Sequence, residues 1–181
     1  AQDALLCIID ILEKEYPIIK DLLYGETTQI TISPVGKNNI KTPFCIHFLN
    51  MGKQIKSVNE MIEDGYKWNT IEDYVDDNGK KHHVATTRCT ISKKPKILLV
   101  SFDTKSHVKV EEQLNLGYVL KGTIIHKGIQ WGGHYMSMSK FGEDWFIQDD
   151  DSLGKLSHLP KEDSHYILVY SLKTPSSECS L

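Results

Sequence analysis

An α+β fold is what this sequence predicts, and two observations carry the expectation. Apolar residues recur at helical spacing in the opening stretch, whereas the later two thirds read as short strand-like runs separated by glycines. Helices first and sheet afterwards is the pattern of segregated α and β layers.

The elements follow in order. Residues 2 to 14 predict a helix, with Asp3 near its start and Leu5, Ile8, Ile9 and Leu12 forming a broad face for burial. Tyr16-Pro17 ends it, and Ile18 to Leu23 form a second short helix before Gly25. Thr28 to Ser33 alternates as a strand does, Val35 to Asn39 reads as a turn or loop, Phe44 to Leu49 as a buried strand, and Val58 to Glu63 as a short helix. Asp64 to Lys81 is polar, with Asp76-Asp77-Asn78-Gly79 turning between two strands. Five more strands are expected at Ile97 to Phe102, Tyr118 to His126, His134 to Ser139, Trp145 to Gln148 and Tyr166 to Leu172. Gly128, Gly132-Gly133, Gly142 and Gly154 separate them. The Ser/Pro-rich stretch 173–181 is expected to be a flexible tail after one domain over 1–172.

Composition sets limits on function. The 181 residues are 40% hydrophobic and 25% charged, ordinary for a globular domain, with a formal net charge of −3. That balance disfavours nucleic acid or an anionic membrane surface as the main partner. No apolar run approaches the roughly 20 residues that span a bilayer. Cys7, Cys45, Cys89 and Cys179 are far apart and form no CxxC pair, so neither a disulfide framework nor a zinc site is expected. The setting they imply is reducing and intracellular, cytoplasmic or nuclear.

Chemistry concentrates between Tyr118 and Asp151. Gly132-Gly133 precede His134-Tyr135 at the start of one strand, and Asp149-Asp150-Asp151 close the next. A hairpin around residues 141–144 would bring Asp149 back beside His134. A carboxylate accepting one imidazole N–H fixes the tautomer and leaves the other ring nitrogen to take a proton from a nucleophile. The glycine pair lets an extended substrate backbone pass close to that ring. On residues alone the plainer alternatives stand beside this reading: a structural strand histidine, a solvated Asp turn, Asp3 as a helix cap, Tyr135 as a core aromatic and Trp131 packed under its own loop.

Taken together, Tyr118 to Gly128, Gly132-Gly133-His134-Tyr135, Trp145 and Asp149-Asp150-Asp151 resemble the histidine box of ubiquitin-specific proteases. His165 to Tyr170 is similar to the closing strand of that box, Pro95 to Phe102 to the buried strand before the blocking loops, and Gln2-Asp3-Ala4 to the family's glutamine-aspartate helix. The resemblance implies a papain-like fold: partial thumb helices, reduced metal-free fingers and a mainly antiparallel palm sheet. It implies thiol-dependent hydrolysis of the isopeptide bond at the C-terminus of ubiquitin or a related modifier, with no cofactor. His134 would be the general base, Asp149 would orient it, and Asp150 would be a supporting carboxylate. Asp3, Trp131, Gly132, Gly133 and Tyr135 would line the channel for the ubiquitin tail. The family's Gly-Asn-Thr-Cys type box has no match here. The nearest imitation, Asn38 to Cys45, is in the wrong order relative to Asp3, and Cys7, on the apolar face of the first helix, is expected in the core, so the nucleophile is expected from a segment upstream of Ala1. Two further readings remain open at this point, a ubiquitin-binding pseudoenzyme and a viral papain-like protease.

Overall fold

The computed structural model describes residues 2–50, 55–76, 78–102, 108–129, 132–160 and 164–173. Two helices open it, α1 (Gln2–Glu15) and α2 (Ile18–Leu23), and a third, α3 (Val58–Tyr66), follows later. Ser57 and Glu60 close a capping box at the start of α3, each accepting a backbone N–H of the other. Between Gly25 and Lys93 lies an antiparallel sheet in the order β2-β1-β5-β4, built from β1 (Gly25–Ser33), β2 (Gly36–Phe44), β4 (Asn69–Val75) and β5 (Lys81–Lys93). At its tip Asp76 accepts from the backbone of Asn78 and Lys80, and His82 Nε2 bonds the same carboxylate at 2.8 Å. His82 therefore closes a turn.

The second sheet carries the chemistry. It comprises β3 (Ile46–Leu49), β6 (Ile97–Phe102), β7 (Gln113–Leu114), β8 (Tyr118–Ile129), β9 (Gly132–Phe141), β10 (Asp144–Asp149), β11 (Ser152–Leu156) and β12 (His165–Leu172). Its order is β11-β10-β9-β8-β12-β6-β3, with β7 paired to β8; β3 is parallel to β6 and the other pairs are antiparallel. Both faces are covered along β6, whose consecutive side chains point to opposite sides. Leu98 and Val100 join Val58, Met61, Leu120, Leu168 and Tyr170 on the α3 side. Leu99 joins Ile9 and Ile46 on the α1 side, with Leu5, Ile19 and Leu23 packed around them. Burying each such aliphatic side chain contributes about 1.5–3 kcal/mol.

Three expectations need correction. The residues expected as a loop at 35–39 lie largely in β2: the turn is confined to Pro34 and Val35, and Lys37 to Asn39 pair with β1. This edge strand is stabilised by its backbone ladder while nearly all its side chains face solvent, so no apolar alternation marks it. The face of α1 is also narrower than expected. Only Ile9 is buried, while Ile8 is 53% and Ile11 58% exposed, because the sheet meets the helix along the Leu5–Ile9 line alone. Cys7 is exposed on the same helix rather than part of the core.

Candidate active site

His134 is the third residue of β9 and Asp149 the last of β10. The hairpin between them pairs Phe141 with Asp144 and runs in register to Ser137 opposite Gln148. Asp149 lies one step further, so its side chain leaves the same sheet face as His134, on the diagonal. Diagonal neighbours are about 7–8 Å apart along the backbone, within reach of an imidazole. His134 Nε2 donates a hydrogen bond to Asp149 Oδ1, which leaves Nδ1 as the acceptor of a neutral ring. The two side chains are 46% and 47% exposed, so the pair stands at the open end of the sheet.

Electrostatics favour the protonated ring. The hydrogen bond and charge of Asp149 raise the His134 pKa above the ordinary histidine value, with a smaller push from Asp150 and partial opposition from lost hydration. Asp150 reaches the site by adopting a left-handed backbone, φ 48°. Donor atoms of His134, Asp149 and Asp150 lie within 4.8 Å of one another, a set able to converge on a cation though all three are open to water. Among the described residues no cysteine joins this cluster. Cys45 neighbours Tyr24, Cys89 is in β5, and Cys7 is exposed on α1.

Close backbone approach shapes the neighbouring hairpin. Gly128 pairs with Gly133 and has φ 127°; a Cβ there would fall 2.6 Å from both the Gly132 carbonyl oxygen and Gly133 Cα. A Cβ on Gly133 would fall 2.3 Å from His126 Nε2, whereas Gly132 faces open space. Tyr135, 43% exposed, packs at a tilt against His126 with ring centroids 4.4 Å apart and meets the edge of Tyr166 at 5.9 Å. The Tyr166 phenol is shifted upward by burial, then by Tyr135 and by the Asp3 carboxylate. Asp3 thus stands exposed on the first turn of α1, within electrostatic reach of this aromatic group. Trp131 lies outside the described residues.

Sequence reasoning passed over three participants. Gln2, rather than Asp3, ties α1 to the sheet, bonding Ser101 Oγ and the Phe102 carbonyl. His126 and Tyr166 complete the aromatic group; the signal was an inward-facing histidine two residues before a glycine that opposes another glycine. A strand-end histidine held at Nε2 and free at Nδ1 can accept a proton from a thiol or hydroxyl.

The sequence profile of ubiquitin carboxyl-terminal hydrolase matches residues 10–170. The chain belongs to that family. Among solved structures, it superimposes on the SAGA DUB module of Ubp8, Sgf11, Sus1 and Sgf73 bound to monoubiquitin, at TM-score 0.82 and 18% identity. That match covers 96% of this chain and 48% of the other. The same module bound to ubiquitin aldehyde gives TM-score 0.82 and 18% identity over 96% and 49% of the two chains. The yeast module with an Sgf73 mutant gives 0.76 and 19% over 91% and 45%. The chain therefore spans about half the length of these structures, whose fold is the ubiquitin-specific protease fold. No curated protein matches it at significance. Among the described residues, no helix is long and apolar enough to cross a membrane.

Proposed function

We propose that this chain is the general-base half of a thiol-dependent deubiquitinase that cleaves the isopeptide bond after the C-terminal glycine of ubiquitin or a related modifier. The observation that carries the reading is the His134–Asp149 hydrogen bond at the open sheet end, in a chain of the ubiquitin carboxyl-terminal hydrolase family. The attacking thiol comes from a polypeptide segment outside these 181 residues. Nδ1 of His134 takes the thiol proton, and the thiolate adds to the glycine carbonyl carbon. The imidazolium then gives its proton to the departing lysine amine as the C–N bond breaks, leaving a thioester. Water, deprotonated by the same ring, cleaves the thioester and returns the thiol.

Asp149 holds the ring in the productive tautomer throughout, and Asp150 adds charge that favours the imidazolium intermediate. Asp3, Tyr135 and the backbone of Gly133 border the channel for the modifier tail, and Gly132, beside open space, gives the tail backbone room to pass. Trp131 would serve as an apolar lid over it. Ubiquitin is the favoured partner because the structural neighbours are bound to it.

The test is turnover of a ubiquitin C-terminal fluorogenic amide by the full-length natural polypeptide and its His134→Ala variant. Loss of several orders of magnitude is expected. Unchanged turnover by the variant would remove His134 from the mechanism. Ubiquitin binding without turnover in the full-length protein would instead favour a scaffold.

A further inference from the structure

His126 is buried in β8, and the reaction as proposed gives it no part. Its position is nevertheless specific. The residues on either side of His134, Gly133 and Tyr135, both rest on the His126 ring. The imidazole edge fills the space where a Cβ of Gly133 would lie, with Nε2 at 2.3 Å and Cε1 at 2.5 Å from that point. Tyr135 packs at a tilt against the ring, 4.4 Å between centroids, and is the direct cross-strand partner of His126. Tyr166 lies behind the ring, its centroid 6.4 Å away, and the strand carrying the ring is tied down where the His126 backbone N–H donates to the Ser164 carbonyl at 3.0 Å.

Gly133 and Tyr135 point to the sheet face opposite that of His134, as strand alternation requires. A strand whose positions on both sides of one residue are seated on a rigid ring cannot roll about its axis at that residue. The roll angle decides whether His134 Nε2 reaches Asp149 on the neighbouring strand. Reach is sensitive here, because the partners are diagonal and both half-exposed, with no packed wall around the imidazole.

We infer that His126 is a positioning residue for His134, holding its imidazole on Asp149 by bearing on Gly133 and Tyr135. The inference rests on the reading of His134 as general base, but its test needs no turnover. The charged groups around His134 are Asp149 and Asp150 at the end of β10 and Lys127, its cross-strand partner on β8. None of them is altered in the variants.

The experiment is an NMR titration of the His134 imidazole in this chain and in His126→Ala, Gly133→Ala and Tyr135→Leu. His126→Ala removes the seat, Gly133→Ala pushes against it from the other side, and Tyr135→Leu removes one contact at a half-exposed position that can be changed without unfolding the domain. In each folded variant the His134 midpoint is expected to fall toward the ordinary value near 6.5. A control substitution on the α1 side of the sheet, Val169→Ala, should leave that midpoint in place while lowering stability. An unchanged His134 midpoint in folded His126→Ala overturns the inference. If that variant does not fold, an unchanged midpoint in Tyr135→Leu overturns it equally. A midpoint that also moves in Val169→Ala would show general loosening rather than positioning. Failure of the proposed hydrolysis would appear in turnover alone and leave this titration intact.

Discussion

Gln2 reaches across from the first turn of α1 to donate a hydrogen bond to Ser101 in the fully buried stretch of β6. Ser101 passes the interaction on, its hydroxyl donating to the Tyr166 carbonyl at 3.1 Å. Helix, central strand and the strand bearing the aromatic group are thereby joined in one relay.

Gln2→Ala breaks that relay at its source. Gln2 also donates to the Phe102 carbonyl at 3.2 Å, so the substitution removes two hydrogen bonds. The expected cost is about 1–2 kcal/mol. The local effect should be larger, because Ile9 is the one buried residue of α1. Hydrogen exchange should show the amides of the first two turns of α1 losing protection while β6 and β12 keep theirs.

Asp149→Asn tests the electrostatics of the pair. The folded His134 pKa is raised above its unfolded value, so the pair contributes stability that is fully present below about pH 6.5 and is lost as pH rises through the folded value. Removing the Asp149 charge should bring the His134 midpoint down toward 6.5, leaving only the lesser push of Asp150. The measurement is the imidazole carbon shift followed from pH 5 to 9.

His47 shifts in the opposite direction. Burial lowers its pKa from 6.5 to about 4, with the Phe44 ring 5.2 Å away. The unfolded chain takes up a proton as pH falls through 6.5 and the folded chain does not. Stability from this residue is present above pH 6.5 and is lost toward pH 4, a change on the order of 2–3 kcal/mol. His47→Gln carries no titrating group, so urea midpoints at pH 7 and pH 4 should lie closer together than in the unmodified chain.

Tyr118→Phe measures one buried hydrogen bond. The Tyr118 side chain is fully buried and its hydroxyl donates to the Pro95 carbonyl at 2.6 Å. Losing the donor leaves that carbonyl without its partner, at an expected cost of about 1–2 kcal/mol. Urea unfolding should show a lower midpoint with an unchanged slope.

The strands that side chains stabilise were legible in the sequence. Ile97 to Phe102 is apolar at every position but Ser101 because both its faces are covered, and its limits agree with β6. The hairpin bringing Asp149 back to His134 followed from strand lengths and the turn at Phe141 to Asp144. What escaped was held by other forces. β2 and β11 are edge strands fixed by backbone pairing, with mostly exposed side chains, so no periodicity announces them. The reach of Gln2 to Ser101 joins residues 99 positions apart, a contact that no local pattern encodes. The apolar spacing of α1 signalled burial all along one side, yet a periodic pattern cannot say how much of that side a sheet will meet.

The open side of α1 has a colloidal consequence. Ile8, Ile11 and Leu12 remain accessible along the helix, and Tyr16 and Ile18 continue them to the start of α2. Such surface gains most by meeting its like in warm, concentrated, salt-rich solution, and least in the cold, where apolar association weakens. With a formal net charge of only −3, long-range repulsion offers little resistance to that encounter. The solution behaviour of the isolated chain should accordingly be set by a few isoleucines: monodisperse when dilute and cold, and clouding reversibly on warming well below the temperature at which the sheet itself melts.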